Sequence, residues 1–379
     1  MFPPSAGQAG TFRNMPILKK IIVQDFRNIV FQELEFSPNI NCISGGNGEG
    51  KTNLMDAIHY LSMSKSAFPT PDSFNRRYGT ESFTIAGTYG MPNGLDSKFS
   101  VSAGGRGEKK MLRDGKNYGR ISEHIGVLPV VMVSPADISM VSESGEERRR
   151  FANAMLSQLD GEYLKAVQDY NRLLQQRNRM LREGNADDSL LSVFDISMSR
   201  AASTVFAART RLAEELNPVV GEYYRLLSGG KEEVSIEYRS DLHKGGLDEI
   251  FMASRERDRA LRYTSAGIQR DDFMFMMNGY PIRRCGSQGQ QKSFIVSLKF
   301  AQYEIMKSKY GFAPTLLLDD VFDKLDMNRI SNLISMVAGN EFGQIFITDS
   351  NKVRLSGIVD GITDDRAYFD TVAGEFRRV

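Results

Sequence analysis

Apolar residues recur along the chain in two rhythms, one of strands and one of helices. Residues 17–24 and 29–36 read as paired strands, and Ile40-Asn-Cys-Ile-Ser44 is a short apolar strand. Residues 82–89 and 97–102 alternate, while 127–133, 315–319 and 344–348 are near-continuous apolar runs of buried-strand length. Between the strands at 40–44 and 82–89 the rhythm changes to helical: over 52–62, Leu54, Ile58 and Leu61 share one face. From Glu146 a mostly helical stretch begins. Over 162–183, Tyr163, Val167, Tyr170, Leu174 and Leu181 form a stripe at spacings of four and three, interrupted by Arg177. Residues 189–227 predict a second long helix, bent, ending near Pro218 or at Gly229-Gly230. Residues 234–239 and 273–284 read as strands that lead into a helix running to about Lys307. The reading is α/β, and no internal repeat is visible.

Composition narrows the class only modestly. At 379 residues the chain holds two or three packed units. Its 41% apolar and 25% charged content is ordinary for globular proteins. The formal net charge is +1, so nucleic-acid binding would have to rest on local patches. Such patches occur in the Gly104–Gly119 hairpin region (Arg106, Lys109, Lys110, Arg113, Lys116), at Arg148 to Arg150, and at Arg172, Arg177, Arg179 and Arg182. Each reads equally well as a solvated or salt-bridged face. Cys42 and Cys285 are read as reduced thiols, and His59, His124 and His243 are too scattered for a zinc cluster. No apolar run reaches membrane-spanning length and no secretory signal is visible, so a cytoplasmic location with no membrane partner is expected.

The chemistry concentrates at three places. The strand at 40–44 runs into Gly45, Gly46, Asn47, Gly48, Glu49, Gly50, Lys51 and Thr52, a G-x-x-x-x-G-K-T loop that opens a helix. The glycines let backbone N–H groups converge on a phosphate chain, Lys51 reaches the outer phosphates, and the Thr52 hydroxyl can ligate Mg²⁺. Leu316-Leu-Leu-Asp-Asp320 has the layout of a Walker B strand, with Asp319 to hold Mg²⁺ and Asp320 to orient or deprotonate the attacking water. Lys51 and Asp319 stand 268 residues apart, so a large segment is inserted between them. The third place is Gly286-Ser-Gln-Gly-Gln-Gln-Lys292, a Ser-x-Gly-Gln loop at a helix start, where Ser287, Gly289 and Gln290 are candidate phosphate contacts.

Several further blocks share their order and wording with one family: Leu18 to Asn28 (with Phe26-Arg27-Asn28), Ser134-Pro-Ala-Asp137 with Glu147-Arg-Arg-Arg-Phe151, Tyr170 to Asn178, Arg270-Asp-Asp272, and Leu316 to Asp326. In these the chain resembles the RecF family of bacterial recombination mediators, of the SMC/ABC ATPase class, over residues 15–379. The resemblance implies an ABC/SMC-type P-loop ATPase head with an inserted helical arm, a short antiparallel helix pair. It divides the chain into residues 15–142 with the P-loop, an arm over 143–265, and 266–379 with the signature and Walker B, after a disordered extension at 1–14. It adds Arg27 and Asn28 to the nucleotide-binding set. It implies ATP and Mg²⁺ as cofactors, an ATP-induced homodimer in which the signature loop serves the opposite subunit's ATP, and a weak, DNA-stimulated ATPase. It also implies DNA at gaps or single-strand/double-strand junctions, RecR, RecO and RecA as partners, and a role in recombinational repair and the SOS response. Two features depart from the family: Gly267-Ile268-Gln269 stands where Gly-Pro-His is usual, and Ile345-Phe-Ile-Thr348-Asp349 lacks the switch histidine. An ABC-type transport subunit and a P-loop kinase are the alternatives. The long insertion and Asp320 in place of glutamate argue against the first. The signature loop has no job in the second.

Overall fold

The structure is a computed structural model that describes residues 15–104, 107–184, 187–321, 342–361 and 363–379. The expected extension at 1–14, Arg106 and the end of the Leu316–Asp326 block lie outside these residues. Two compact units emerge, one from residues 1–137 with 302–379, the other from 138–301.

The first unit contains two six-stranded sheets. One is antiparallel, in the order β2 (Ile29–Glu35), β1 (Ile17–Phe26), β4 (Ser82–Gly90), β5 (Asp96–Gly104), β6 (Lys109–Arg113), β7 (Lys116–Asn117). The other is largely parallel. Its order is β15 (Glu375–Arg378), β14 (Arg366–Val372), β3 (Ile40–Ser44), β13 (Ile345–Asp349), β12 (Thr315–Leu318), β8 (Val130–Val133), with β15 the antiparallel edge. Every residue of β3, β8, β12 and β13 is buried, as expected of parallel strands covered on both faces and as their unbroken apolar runs predict. The two sheets are joined through Gln344, whose fully buried amide accepts from Leu18 N and donates to the carbonyls of Leu18 and Ser37, each at 2.8 Å. The P-loop follows β3 and the Walker B carboxylates follow β12, so both chemistries sit at the carboxyl ends of parallel strands, one strand apart.

The second unit is mostly helical. Helix Gly161–Glu183 is capped by Asp160, whose side chain accepts from Glu162 N and Tyr163 N. The next helix, Asp188–Ser228, packs back against it as the arm. It does not stop at Pro218. Leu216, Val220 and Tyr224 are buried on either side of the proline, and that packing carries the helix to a left-handed Gly229. Helix Leu247–Leu261 and a three-stranded sheet, β11 (Tyr280–Pro281), β10 (Asp272–Met277), β9 (Val234–Arg239), complete the unit. The expected single strand over 273–284 is instead a hairpin. Asn278 and Gly279 both have positive φ, the usual pair for a tight two-residue turn, and a short helix Ile282–Cys285 follows.

Three arginines offered above as surface cations are structural. Arg177 is part of the buried stripe, not a break in it. It pairs with Asp195 at 2.9 Å and Asp258 at 2.7 Å and lies over the Phe251 ring. Arg148 makes a bidentate pair with Asp272 at 2.7 and 2.9 Å, and Arg149 donates to the Asp271 carbonyl. Arg150, Arg172 and Arg179 are paired along their own helices. Lys109 reaches Asp72 and the Ser64 carbonyl.

Candidate nucleotide site

The loop after β3 turns through Gly48 and Gly50, both with positive φ, and delivers the chain into helix Lys51–Met63. Gly50 holds φ 108, a backbone that L side chains rarely adopt, so a larger residue there is strained, and its Cβ would lie 2.9 Å from Asn28 Nδ2. Gly46, Asn47 and Gly48 are exposed at the mouth of the loop. Lys51 is buried, and its ammonium folds back to donate to the carbonyls of Gly45 and Gly46, at 2.8 and 2.9 Å. A cation held by two loop carbonyls is placed at the centre of the loop's own curve, where an anion would meet it.

The second half of the site comes from β12 and β13. Thr52 Oγ1 lies 2.9 and 3.1 Å from the two oxygens of Asp319, and Thr348 Oγ1 donates to Asp319 at 2.7 Å. Asp320 N in turn donates to Thr348 Oγ1 at 2.9 Å. Asp320 adopts a left-handed backbone (φ 45), which aspartate tolerates better than most residues. Asp319 is 1% exposed. Burial pushes its carboxyl up to about 6, against the pull of the Thr348 and Thr52 hydroxyls. A buried carboxylate met by hydroxyls is a hard-oxygen donor set that fits Mg²⁺, which takes one or two protein ligands and completes its shell from phosphates and water. Among the described residues no group of three or more His, Cys, Asp or Glu side chains is placed to share one ion. Asp349, at the end of the block that lacks the switch histidine, is buried and accepts from Asn351 N.

Arg27 and Asn28 sit at the β1–β2 turn. Asn28 Oδ1 accepts from Asn53 Nδ2 at 2.7 Å, tying the turn to the first turn of the P-loop helix. The Arg27 guanidinium is directed inward, to Asp56 at 2.5 Å and to Asn53, Ser66 and Asn75. Burial pushes the Asp56 carboxyl up while Arg27 pulls it back.

The signature residues belong to the other unit. Ser287 and Gln290 form a reciprocal cap: Ser287 N donates to Gln290 Oε1 at 2.7 Å, and Gln290 N to Ser287 Oγ at 3.3 Å. Gln290 Nε2 also reaches Glu232 at 2.7 Å. Ser287 remains exposed at the start of the 23-residue helix Gln288–Tyr310, which Gly289 enters in its first turn. In the departure at 267–269, Gln269 accepts from the Tyr170 hydroxyl and donates to the Ala266 carbonyl, a bracing role inside its own unit.

Sequence reasoning missed one contributor. Glu49 is gripped from behind by the β14–β15 hairpin, through Thr371, Ala373 and Gly374. Two of those contacts come from backbone amides, which leave no residue-type signature.

Known proteins match the chain closely. A family model described as an AAA domain matches residues 20–195. The DNA replication and repair protein RecF of Parabacteroides distasonis is 43% identical, covering 95% of this chain and 98% of that protein. The RecF of Phocaeicola vulgatus is 42% identical at 95% and 97% coverage. A solved structure of the recombination mediator protein RecF with ATP, in the RecFOR pathway, superposes with a TM-score of 0.88 at 27% identity over 98% of this chain and 100% of that one. An Smc head domain from Pyrococcus furiosus has a TM-score of 0.56 at 14% identity, covers 96% of each chain, and shares the fold.

Proposed function

The chain belongs to the RecF family, and from that premise we propose that it is an ATP-dependent DNA-binding protein of replication and recombinational repair. The observation that carries this reading is the convergence of Thr52, Asp319, Asp320 and Thr348, which joins a phosphate loop to a Walker B pair across 267 residues of sequence. ATP is bound by the backbone of residues 45–50, with Lys51 on the outer phosphates. Thr52 and Asp319 would hold Mg²⁺, which would supply positive charge against the phosphates of ATP. Asp320 orients and deprotonates the attacking water. Thr348 holds both residues: its hydroxyl donates to one oxygen of Asp319 and accepts from the backbone amide of Asp320.

The Ser287-Gln-Gly-Gln loop is read as serving ATP held by a second copy. Ser287 is exposed at the start of its helix, and the reciprocal cap with Gln290 holds the loop in place. ATP then drives dimerisation, and slow hydrolysis releases it. The dimer binds DNA through phosphate contacts at gaps or single-strand/double-strand junctions and works with RecO and RecR to load RecA, in the cytoplasm. No helix among the described residues is long and apolar enough to cross a membrane.

A titration of gapped and blunt duplexes with and without ATP tests the reading. Tighter binding to gapped DNA that depends on ATP is expected. Binding indifferent to ATP would contradict it.

A further inference from the structure

The β14–β15 hairpin does more than close an edge of the parallel sheet. Its two-residue turn, Ala373-Gly374, is wedged between the P-loop and the Arg27–Asn28 turn. Thr371 Oγ1 donates to the Glu49 carbonyl at 3.1 Å, and Gly374 N donates to the same oxygen at 2.9 Å. Ala373 N donates to the Glu49 carboxylate. The packing leaves no slack: a Cβ on Gly45 would lie 2.5 Å from the Thr371 carbonyl oxygen, and one on Gly374 would lie 2.5 Å from that of Asn28. Phe376 N donates to Gln32 Oε1 at 3.1 Å, which pins the far side of the hairpin to β2. Ala373 holds φ 50 where such turns favour asparagine, aspartate or glycine, and strain of this kind persists where the surroundings impose it.

From these contacts we infer that the hairpin is a positioning element that presets a phosphate-binding amide of the P-loop. In a trans peptide the C=O and the following N–H point in opposite directions. Two donors holding the Glu49 carbonyl from behind therefore turn the Gly50 N–H to the opposite side, into the curve of the loop. At the other end of the loop Lys51 holds the carbonyls of Gly45 and Gly46. The hairpin also abuts Asn28, so both segments assigned to the nucleotide are indexed to one piece of structure. This inference rests on the nucleotide-site reading above.

Two substitutions in the full-length chain separate the hydrogen bond from the packing. Thr371→Val keeps both branches of the side chain and loses the bond to Glu49. Thr371→Ser keeps the hydroxyl and loses the methyl that faces Gly45. The Val variant is expected to raise the ATP dissociation constant roughly 3- to 10-fold, the effect of one hydrogen bond. Its thermal midpoint should stay within about 2 °C of wild type. The Ser variant is expected to bind ATP within about 2-fold of wild type, well inside the effect of a lost hydrogen bond. Wild-type affinity in the Val variant would overturn the inference, as would equal losses in both variants, which would make Thr371 a packing contact. Lys51→Ala serves as the control: if it too binds ATP like wild type, the nucleotide site itself is misassigned and both readings fall together.

Discussion

The Thr52 hydroxyl lies 2.9 Å from the carboxylate of Asp319, although the two residues are 267 positions apart in the chain. Burial pushes the Asp319 carboxyl from 3.8 up to about 6. Such a group takes up its proton more readily in the folded state than in the unfolded one. Folding stability therefore falls as pH rises through the window from about 4 to about 6, and the penalty is complete above it. Asp319→Asn removes this penalty. The ligand-free variant should be more stable than wild type at neutral pH, by at most about 3 kcal/mol, and the advantage should vanish by pH 4. Mg²⁺-dependent ATP binding should be lost at the same time. Thermal melts across this pH range, with and without Mg-ATP, check both halves. A variant less stable than wild type at neutral pH would contradict the assignment.

Asp320 is the residue expected to act on water, so its replacement should separate binding from turnover. Asparagine tolerates the left-handed backbone that Asp320 adopts, and the amide that donates to Thr348 is unchanged. Asp320→Asn should bind ATP and accumulate as an ATP-bound dimer, with hydrolysis down at least about 100-fold, the scale of a lost general base. Thr348→Val should lose turnover by a different route, because Asp319 loses a hydroxyl donor and the Asp320 amide its acceptor. Single-turnover hydrolysis alongside ATP affinity distinguishes the two. Wild-type turnover in Asp320→Asn would remove it from the mechanism.

Arg177 and Arg148 bear on a wider question, since each reads in the sequence as either a DNA contact or a salt-bridged face. Arg177→Ala leaves two buried carboxylates, Asp195 and Asp258, without the guanidinium that holds them. The expected cost is about 3–5 kcal/mol of stability. Arg148→Ala strips Asp272 of a bidentate partner that is less buried, and should cost less. Neither change should lower the salt dependence of DNA binding, because each cation is buried and paired with carboxylates of its own chain. Urea melts and a salt titration of DNA affinity test this together. A shallower salt slope in Arg148→Ala at unchanged stability would restore it as a contact.

What could be read in the sequence was chemistry that needs particular residue types. A phosphate loop demands glycines, a lysine and a hydroxyl at set spacings, and β3, β8, β12 and β13 are apolar on both faces, so both declared themselves. Asn278-Gly279 is a turn signal inside the run over 273–284, and it splits that run into a hairpin. Arg177 sat on the right face of its helix, but its meaning depends on Asp195 and Asp258, which are 18 and 81 positions away. Pro218 suggested an end that tertiary packing overrides. The grip of the β14–β15 hairpin on Glu49 is mostly carried by amides of Ala373 and Gly374, which any residue except proline would supply.

The central claim is an ATP-driven dimer in which Ser287 of one copy meets the ATP of the other. Light scattering of the wild-type and Ser287→Arg proteins, each with and without Mg-ATP, tests it most directly. Arginine removes the hydroxyl that caps Gln290 and places a bulky cation at the helix start. The lost cap should cost about 1 kcal/mol, so a melt is run beside it to confirm folding. The account predicts a wild-type protein that doubles in mass on adding Mg-ATP, and a folded Ser287→Arg protein that binds ATP through its intact P-loop yet stays monomeric. A normal ATP-induced dimer of Ser287→Arg, or a wild-type protein whose mass does not respond to ATP, would contradict it.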